Sequence, residues 1–345
     1  MPGSAGLPEI LAGVLMVALN AYALFGGGDF GGGIWHLLAS GKRQSDQRAL
    51  ISRSIAPIWE ANHVWLIVAV VVLFTAFPRA FSLLSIALHI PLTMALFGIV
   101  LRGSAFVFRS YGSRTRAQER FWERTFEVAS LVTPFFLGVS VGGIASGNVG
   151  SAVLAASSAD SMRTFSDVYV WPWLAPFPIA TGFMAVTLFA FLAAVYLTVA
   201  ARDDEMRGEY RRRALVAALA VFVAALAALL LAAGDESRLG RGLTTSTWSL
   251  GFHVLTGMAA LTAVFALIRR RWRLARVAAG AQVSLVLWGW AAAQYPYLIP
   301  RALTIRDVAA PVNTLQLLLL VLLAGGAVLL PSLLYLYRTF AASRR

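Results

Sequence analysis

Long apolar runs separated by short polar connections dominate the pattern of residues along this chain. A helix needs ~20 mostly apolar residues to cross the ~30 Å hydrocarbon layer, because lipid offers backbone groups no hydrogen-bond partner. Nine runs meet this requirement, near residues 7–25, 54–76, 80–101, 125–146, 172–200, 213–233, 248–268, 274–294 and 312–337. The pattern therefore predicts an all-α integral membrane protein with about nine transmembrane helices.

Basic residues are distributed unevenly over the connections between these runs. All but six of the 29 Lys and Arg residues lie in alternate connections or in the C-terminal tail, the exceptions being Arg79, Arg163, Arg238, Arg241, Arg301 and Arg306. Lys and Arg are retained on the cytoplasmic side of a membrane. We therefore expect the N-terminus outside and the C-terminus in the cytoplasm, which requires an odd number of spans.

The runs fall into two groups of four with a further helix at the end. Residues 1–145 are expected to form a first four-helix bundle, and residues 171–300 a second. Between them, residues 146–170 are rich in small side chains and are expected to form an outside loop. Residues 301–345 then supply the ninth, peripheral helix and a cytoplasmic tail.

Composition agrees with a membrane protein. Apolar residues make up 59% of the chain and charged residues 13%, against ~25% charged in soluble domains. The net charge of +13 follows from the basic connections, so it indicates topology and not a nucleic-acid partner. Because the chain has no Cys, disulfides, iron–sulfur clusters and thiolate metal sites are excluded, and a redox role would need haem, quinone or a partner chain.

The second run carries a concentrated set of polar side chains. Ionisable groups inside membrane spans are costly when unpaired, so each is a functional candidate. Glu60 lies about two turns inside this run, His63 shares its helix face, and Asn62 lies on a neighbouring face. These residues suggest a proton path, because a desolvated carboxyl group can exchange protons with water chains. A buried interhelical hydrogen bond is the alternative role for Glu60.

Asp29 is the other acid in the candidate proton path, and it lies in the glycine-rich stretch 25–33. We expect the first helix to end or bend in this stretch, leaving Asp29 as a helix cap or as the partner of Arg43 or Arg102. A phosphate-binding loop is disfavoured because no Lys-Ser/Thr pair follows. The candidate set has four supporting residues, Trp59, Trp65, Arg102 and Glu127. For Arg102 and Glu127, snorkelling or a mutual salt bridge is as plausible as a functional role.

Two further expectations concern histidines and small residues. His36 is expected at the cytoplasmic surface, and the sequence contains no recognisable metal-binding or catalytic pattern, so no metal ligand and no catalytic residue is assigned. The small residues Gly138, Ser140, Gly142 and Gly143 in the fourth run are expected to form a face that binds a partner in the membrane.

Four segments together resemble subunit II of the cytochrome bd-type quinol oxidases. They are GDFGGG (28–33), SIAPIWEANHVWLI (54–67), LRGSAFVFR (101–109) and QYPYLIP (294–300). The segment 54–67 is the most specific of them because it is long, and the resemblance extends over the whole chain. It implies two four-helix bundles plus a peripheral helix, in agreement with the apolar pattern.

The resemblance also implies a function. It indicates a non-catalytic subunit of a quinol oxidase in the bacterial plasma membrane. Haem b and haem d would be held by subunit I, the partner chain, and none would be ligated here. The subunit would support subunit I and deliver cytoplasmic protons for oxygen reduction. The resemblance also allows a bound quinone, contacts with membrane lipid and a small accessory subunit.

One position departs from the family pattern. The family has an Asp-Gly-Phe-Asp sequence in which Asp29 matches the second acid, whereas the first is replaced by Gly26. One carboxylate of the proton route is therefore absent from this chain. Two alternative functions stay open: a proton-coupled secondary transporter that works alone, and a structural membrane anchor of a redox complex.

Overall fold

The structure is a computed structural model that describes residues 6–55, 59–108, 115–156, 164–233, 242 and 247–342. Some residues within these ranges are described by their backbone alone, namely Ile55, Trp59, Glu60, Ala61, Val153, Ala155, Ala156, Thr247, Tyr337, Phe340, Ala341 and Ala342. The described chain is almost entirely helical, which confirms the predicted fold class.

The first half of the chain contains both long and short helices. They are α1 (Leu7–Leu37), α2 (Gln44–Ile55), α3 (Trp59–Ala76), α4 (Pro78–Ala87), α5 (His89–Val107), α6 (Arg116–Ala145), α7 (Asn148–Ala156), α8 (Phe165–Tyr169) and α9 (Trp171–Leu174). The second half contains α10 (Pro176–Ala200), α11 (Asp204–Ala233), α12 (Thr247–Ile268), α13 (Trp272–Gln294) and α14 (Val312–Ala342). A short antiparallel hairpin, β1 (Tyr297–Ile299) and β2 (Leu303–Thr304), connects α13 to α14.

Eight helices of the described chain are long and apolar enough to cross a membrane, and they are α1, α5, α6, α10, α11, α12, α13 and α14. The described part of α3 passes the same test together with α4, although these two helices meet at an angle of 116°. Counting that pair gives nine crossings. The chain is thus a multi-pass membrane protein, while its orientation stays a prediction.

The bounds predicted for the third span are wrong. Residues 80–101 do not form one helix, because α4 ends at Ala87 and α5 begins at His89. Pro78 starts α4 in the first turn, where its missing N–H costs no hydrogen bond. Apart from His89, the side chains on both sides of the turn at Leu88 are apolar, so the turn lies within one long apolar run. The crossing helix is α5.

The glycine-rich stretch continues α1 and does not end it, which corrects the expectation that the helix could stop there. Gly31 lies against the backbone oxygen of Phe189 in α10, and Gly33 lies against the side chain of Ser130 in α6. A Cβ atom at either glycine would collide with these neighbours. The glycines therefore allow close packing of three helices, as small residues commonly do in membranes.

The small residues of α6 also pack inside this chain and not against a partner subunit. Gly138 and Gly142 face α10, and the Thr181 hydroxyl donates a hydrogen bond to the Gly138 carbonyl at 3.0 Å. Ser140 is 4% exposed. Gly143 lies against Pro172 of α9, so the expected partner-binding face is already covered by α9 and α10 of the same chain.

Helices α1, α6 and α10 pack against one another at the centre of the molecule. Because α10 lies in the predicted second bundle, this packing joins both halves of the chain in one apolar core. The segment 146–170, expected as a loop, contains the short helices α7 and α8. The division of the chain into bundles stays a prediction.

The connection between α10 and α11 is fixed by a capping residue. The Met206 N–H donates to Oδ1 of Asp203 at 2.7 Å, and the Arg43 guanidinium binds the same carboxylate at 3.1 Å. The hydrogen bond from Met206, more than the neighbouring Arg43, holds the pKa of Asp203 below its usual value. Asp203 therefore stays ionised and keeps the connection between α1 and α2 close to the start of α11.

The packing of Gly31 leads to a first prediction. Replacing Gly31 by Ala should force α1 away from α10 and destabilise the protein by about 1–3 kcal/mol, because overpacking strains the backbone. Gly13 of the same helix has open space around it, so Gly13→Ala is the control and should be neutral or stabilising by up to ~1 kcal/mol. Thermal unfolding in detergent measures both, and equal effects would contradict the proposed packing role.

Candidate functional site

A buried ion pair links α1, α5 and α6. Arg102 donates from Nη1 to Oδ2 of Asp29 at 3.0 Å, and its Nη2 binds Oδ1 of the same carboxylate. Its Nε donates to the Ser130 hydroxyl at 3.0 Å. Both charged side chains are 2% exposed. The bidentate geometry suits a guanidinium and a carboxylate, and it neutralises both charges where they lie.

Aromatic rings enclose this ion pair. The guanidinium carbon of Arg102 lies 4.8 Å from the ring centre of Phe30 and 4.9 Å from that of Phe126. The cation is thus stabilised by two ring faces in addition to the carboxylate. Arg102 and Glu127 do not form the mutual salt bridge considered from the sequence, because Arg102 binds Asp29 instead. Arg102 is one of the two partners that the sequence suggests for Asp29.

A second polar cluster lies nearer the end of α1, around His36. The His36 ring is 1% exposed, and its Nδ1 lies 3.0 Å from Oε1 of Glu127. Its Nε2 lies 3.6 Å from Glu123. Arg48 binds Glu123 at 3.0 Å and Glu127 at 3.4 Å, and Arg124 binds Glu127 at 3.2 Å. The prediction that His36 lies at the surface is wrong, because α1 extends past the glycines and carries it inside.

The side chains of this cluster could bind a cation. The ligand atoms of His36, Glu123 and Glu127 lie within 4.8 Å of one another. However, the guanidinium of Arg48 already contacts both carboxylates, and Arg124 contacts Glu127, so two cations offset the two acids. The arrangement is therefore better suited to holding and passing protons than to holding a metal ion. Sequence reasoning missed His36, although its position two turns beyond Asp29 places it on the same face of α1.

The polar residues of α3 lie beside the part of α1 around Tyr22, which is farther from the His36 cluster than Asp29 is. Asn62 is fully buried, and neither atom of its amide group has a hydrogen-bond partner among the described residues. The same holds for the hydroxyl of Tyr22. The His63 ring lies 6.3 Å from the rings of both Tyr22 and Phe30. Because buried polar atoms are rarely left unbonded, this region is suited to ordered water.

The remaining residues of the candidate set lie in or beside this region. Glu60 and Trp59 belong to α3, where Glu60 precedes His63 by one turn, but their side chains lie outside the described residues. Trp65 stacks on Phe25 with ring centres 6.4 Å apart. The Trp65 indole N–H has no acceptor in the described part of the chain.

Gly26 is the position where the resembled family carries an additional acid. The ring of Tyr22 lies over it, since a Cβ atom at residue 26 would be 3.2 Å from that ring. The aromatic side chain thus takes part of the space that an acidic side chain would need.

The polar residues together form a track along two neighbouring helices. The three polar residues of α1 are spaced two turns apart, and those of α6 also share one helix face. The track consists of Tyr22, Asp29 and His36 from α1 with Glu123, Glu127 and Ser130 from α6. The track extends over about 20 Å of helix. It ends at Glu123, whose side chain is 26% exposed.

Comparison with known proteins decides the family. The model for "Cytochrome bd terminal oxidase subunit II" matches residues 7–340. The chain belongs to this family. Subunit II is part of a cytochrome bd terminal oxidase, an oxidoreductase complex that contains haems, and its name implies a subunit I as partner.

Individual relatives agree with this assignment. A Bacillus subtilis (strain 168) protein named for cytochrome bd menaquinol oxidase subunit II is 23% identical over 94% of this chain and 92% of its own length. The cytochrome bd-I ubiquinol oxidase subunit 2 of Escherichia coli (strain K12) is 28% identical over 62% of this chain and 53% of its own length. A chain of the bd oxidase from Geobacillus thermodenitrificans shares the fold, with a TM-score of 0.72 and 11% identity, over 99% of this chain and all of that chain.

The ion pair of this subunit II gives a second prediction. Arg102→Met leaves the Asp29 carboxylate buried without a counter-charge, which should cost about 3–5 kcal/mol of stability. Arg124→Met is the control, because Arg124 is 70% exposed and its pair should contribute about 0–1 kcal/mol. Chemical denaturation in detergent compares them. The double variant Asp29→Leu/Arg102→Met should recover much of the loss, and a loss as large as that of the single variant would refute the pairing.

Proposed function

We propose that this subunit II conducts protons from the cytoplasm toward oxygen reduction in subunit I of the oxidase. The observation that carries the proposal is the polar track on α1 and α6, which continues from Tyr22 to Asn62. Among the described residues, the Tyr22 hydroxyl and the Asn62 amide have no hydrogen-bond partner. Reduction of oxygen to water consumes protons, and a reaction centre enclosed by apolar helices can obtain them only through such a polar route.

The entrance of the route is the His36 cluster. Glu123 is partly exposed, and His36 lies between it and the buried Glu127. An imidazole has two nitrogens on opposite sides of its ring, so it can accept a proton from one carboxylate and release one to the other. Arg48 and Arg124 keep the two acids from repelling each other. This end corresponds to the predicted cytoplasmic side.

The Asp29–Arg102 pair occupies the middle of the route. Because Arg102 holds both oxygens of the carboxylate, Asp29 acts in the route as a fixed charge that orders water. Beyond it, the hydroxyl of Tyr22 and the amide of Asn62 supply the groups for a water chain toward His63 and Glu60. The Tyr22 hydroxyl and water replace the family acid missing at Gly26.

The haems belong, in this proposal, to subunit I. Histidines of the described chain have different surroundings: His36 binds Glu127 and His63 packs on Tyr22. The Nδ1 atom of His89 binds the Ile86 carbonyl of α4, and that of His253 binds the Ser249 carbonyl of its own helix. These contacts do not form a site in which two ligands face each other across a haem. We accordingly propose a haem-free, non-catalytic role for the present subunit.

Further expectations from the sequence belong to the same proposal. We place the complex in the bacterial plasma membrane, with the N-terminus of this subunit outside and its C-terminus in the cytoplasm. Quinol supplies the electrons, and a bound quinone or a small accessory subunit is compatible with the fold. The alternative that a test must distinguish from proton delivery is the structural-anchor role. A separate transporter is disfavoured, because the chain belongs to a family of oxidase subunits.

Glu60→Gln in the assembled oxidase is the direct test of proton delivery. The variant removes the acid with little change in size, so oxygen uptake driven by quinol should fall by about 100-fold, while the visible haem spectrum stays unchanged. Glu205→Gln is the control, because Glu205 is an exposed acid away from the track, and it should leave turnover unaffected. Full turnover in Glu60→Gln would leave only the anchor role.

Substitutions of Asn62 test the water chain. Asn62→Ala leaves room for a water molecule and should retain most of the oxygen uptake, whereas Asn62→Leu fills the same space with apolar atoms and should lower it strongly. If Asn62 has only a structural role, Asn62→Ala should lower oxygen uptake more than Asn62→Leu, because a cavity destabilises a protein more than a side chain of similar volume does. Oxygen uptake across a pH range, with haem content checked in each preparation, distinguishes the two.

A further inference from the structure

A cavity of about 380 Å³ lies between the end of α1, the start of α2 and the first turns of α11. It is separate from the polar track. Cations outnumber acids in its wall, which is formed by Ser40, Gly41, Lys42, Arg43, Gln47, Glu205, Glu209, Arg212 and Arg213. The cavity thus has a net positive charge at the end of the protein that is predicted to face the cytoplasm.

Both acids of the cavity are already bound by neighbouring side chains. Arg43 binds Glu205 at 2.9 Å, and the Gln47 amide donates to Glu209 at 2.9 Å. Arg43 also forms a salt bridge with Asp203. The positive charge that remains for a ligand therefore comes from Lys42, Arg212 and Arg213.

Arg213 is held in place before any ligand binds. Its Nη2 donates to Oε1 of Gln47 at 2.7 Å. Its guanidinium carbon lies 5.5 Å from the Trp35 ring centre and 5.1 Å from that of Tyr210. A preorganised guanidinium loses little conformational entropy on binding an anion, and its planar fork matches phosphate oxygens.

The cavity continues into an apolar surface along α11. Arg212 is followed on the same face of the helix by exposed aliphatic side chains at intervals of three and four residues, namely Val216, Leu219, Val223, Leu226 and Leu230. A basic cavity at the head of an apolar stripe matches the shape of a phospholipid, with a charged headgroup and acyl chains. A free phosphate ion would use the cavity and leave the stripe without a role.

We propose that this cavity binds the headgroup of an anionic phospholipid, whose acyl chains lie along the exposed face of α11. Lys42 and Arg212 contact the phosphate from the cavity mouth, and Arg213 lies deeper beside Trp35. Trp35 is itself buried, and its indole N–H donates to the Ala190 carbonyl at 2.7 Å, so it forms a rigid support for the Arg213 guanidinium. The bound lipid would join the loop after α1 to the start of α11.

The test uses the purified oxidase complex and native mass spectrometry with added phosphatidylglycerol. Lys42→Gln/Arg212→Gln should weaken phosphatidylglycerol binding by about 10-fold or more, since each basic residue near an anionic lipid contributes ~1 kcal/mol. Arg273→Gln is the matched control, because Arg273 is exposed and does not line the cavity, and it should bind like the unmodified complex. Lys42→Arg/Arg212→Lys keeps both charges and should also bind normally.

Three results would overturn the proposal. They are unchanged phosphatidylglycerol binding in the Lys42→Gln/Arg212→Gln variant, equally tight binding of phosphatidylcholine, and displacement of the lipid by inorganic phosphate at equal concentration. The last of these would assign the cavity to a free anion. The native mass of each variant shows whether this subunit is still assembled with subunit I, so weak binding by an intact complex cannot come from loss of the subunit.

Discussion

A charge inside an apolar helix bundle has to be neutralised where it lies, and this requirement organises the described structure around Arg102. Its guanidinium satisfies Asp29 on α1 and Ser130 on α6 while two phenylalanine rings cover its faces. These contacts fix the relative positions of three helices. Once α1 and α6 are held side by side, their remaining polar residues fall on a common line, and the His36 cluster and the Tyr22 region become its two ends.

The close approach that permits this arrangement depends on glycine. Gly31 and Gly33 bring α1 against α10 and α6, and Gly138 and Gly142 bring α6 against α10. Apolar attraction between helices is weak in lipid, so backbone proximity and interhelical hydrogen bonds have a larger part in holding them together. Proton delivery is thus proposed here for a core whose geometry is set by its smallest side chains.

Much of the fold could be predicted from the sequence, because membrane-spanning helices are encoded by long apolar runs. The turn between α4 and α5 could not, since it lies within one long apolar run that is interrupted there by a single polar residue, His89. Treating the glycine-rich stretch as a helix end led to the wrong location of His36, as one continuous α1 carries that residue into the bundle. Asp29, Arg102 and Glu127 were found because charges within spans are rare, but their pairing depends on helix rotation, which hydropathy does not encode.

The ring of Tyr22 over Gly26 has a consequence for the history of this subunit. An aspartate at residue 26 and a tyrosine at residue 22 compete for one volume, so a change at either position alters which residues the other tolerates. Lineages that keep the acid should carry a smaller or displaced side chain one turn earlier. The two positions would then be inherited as a pair, with a phenol and water in one branch and a carboxylate in the other.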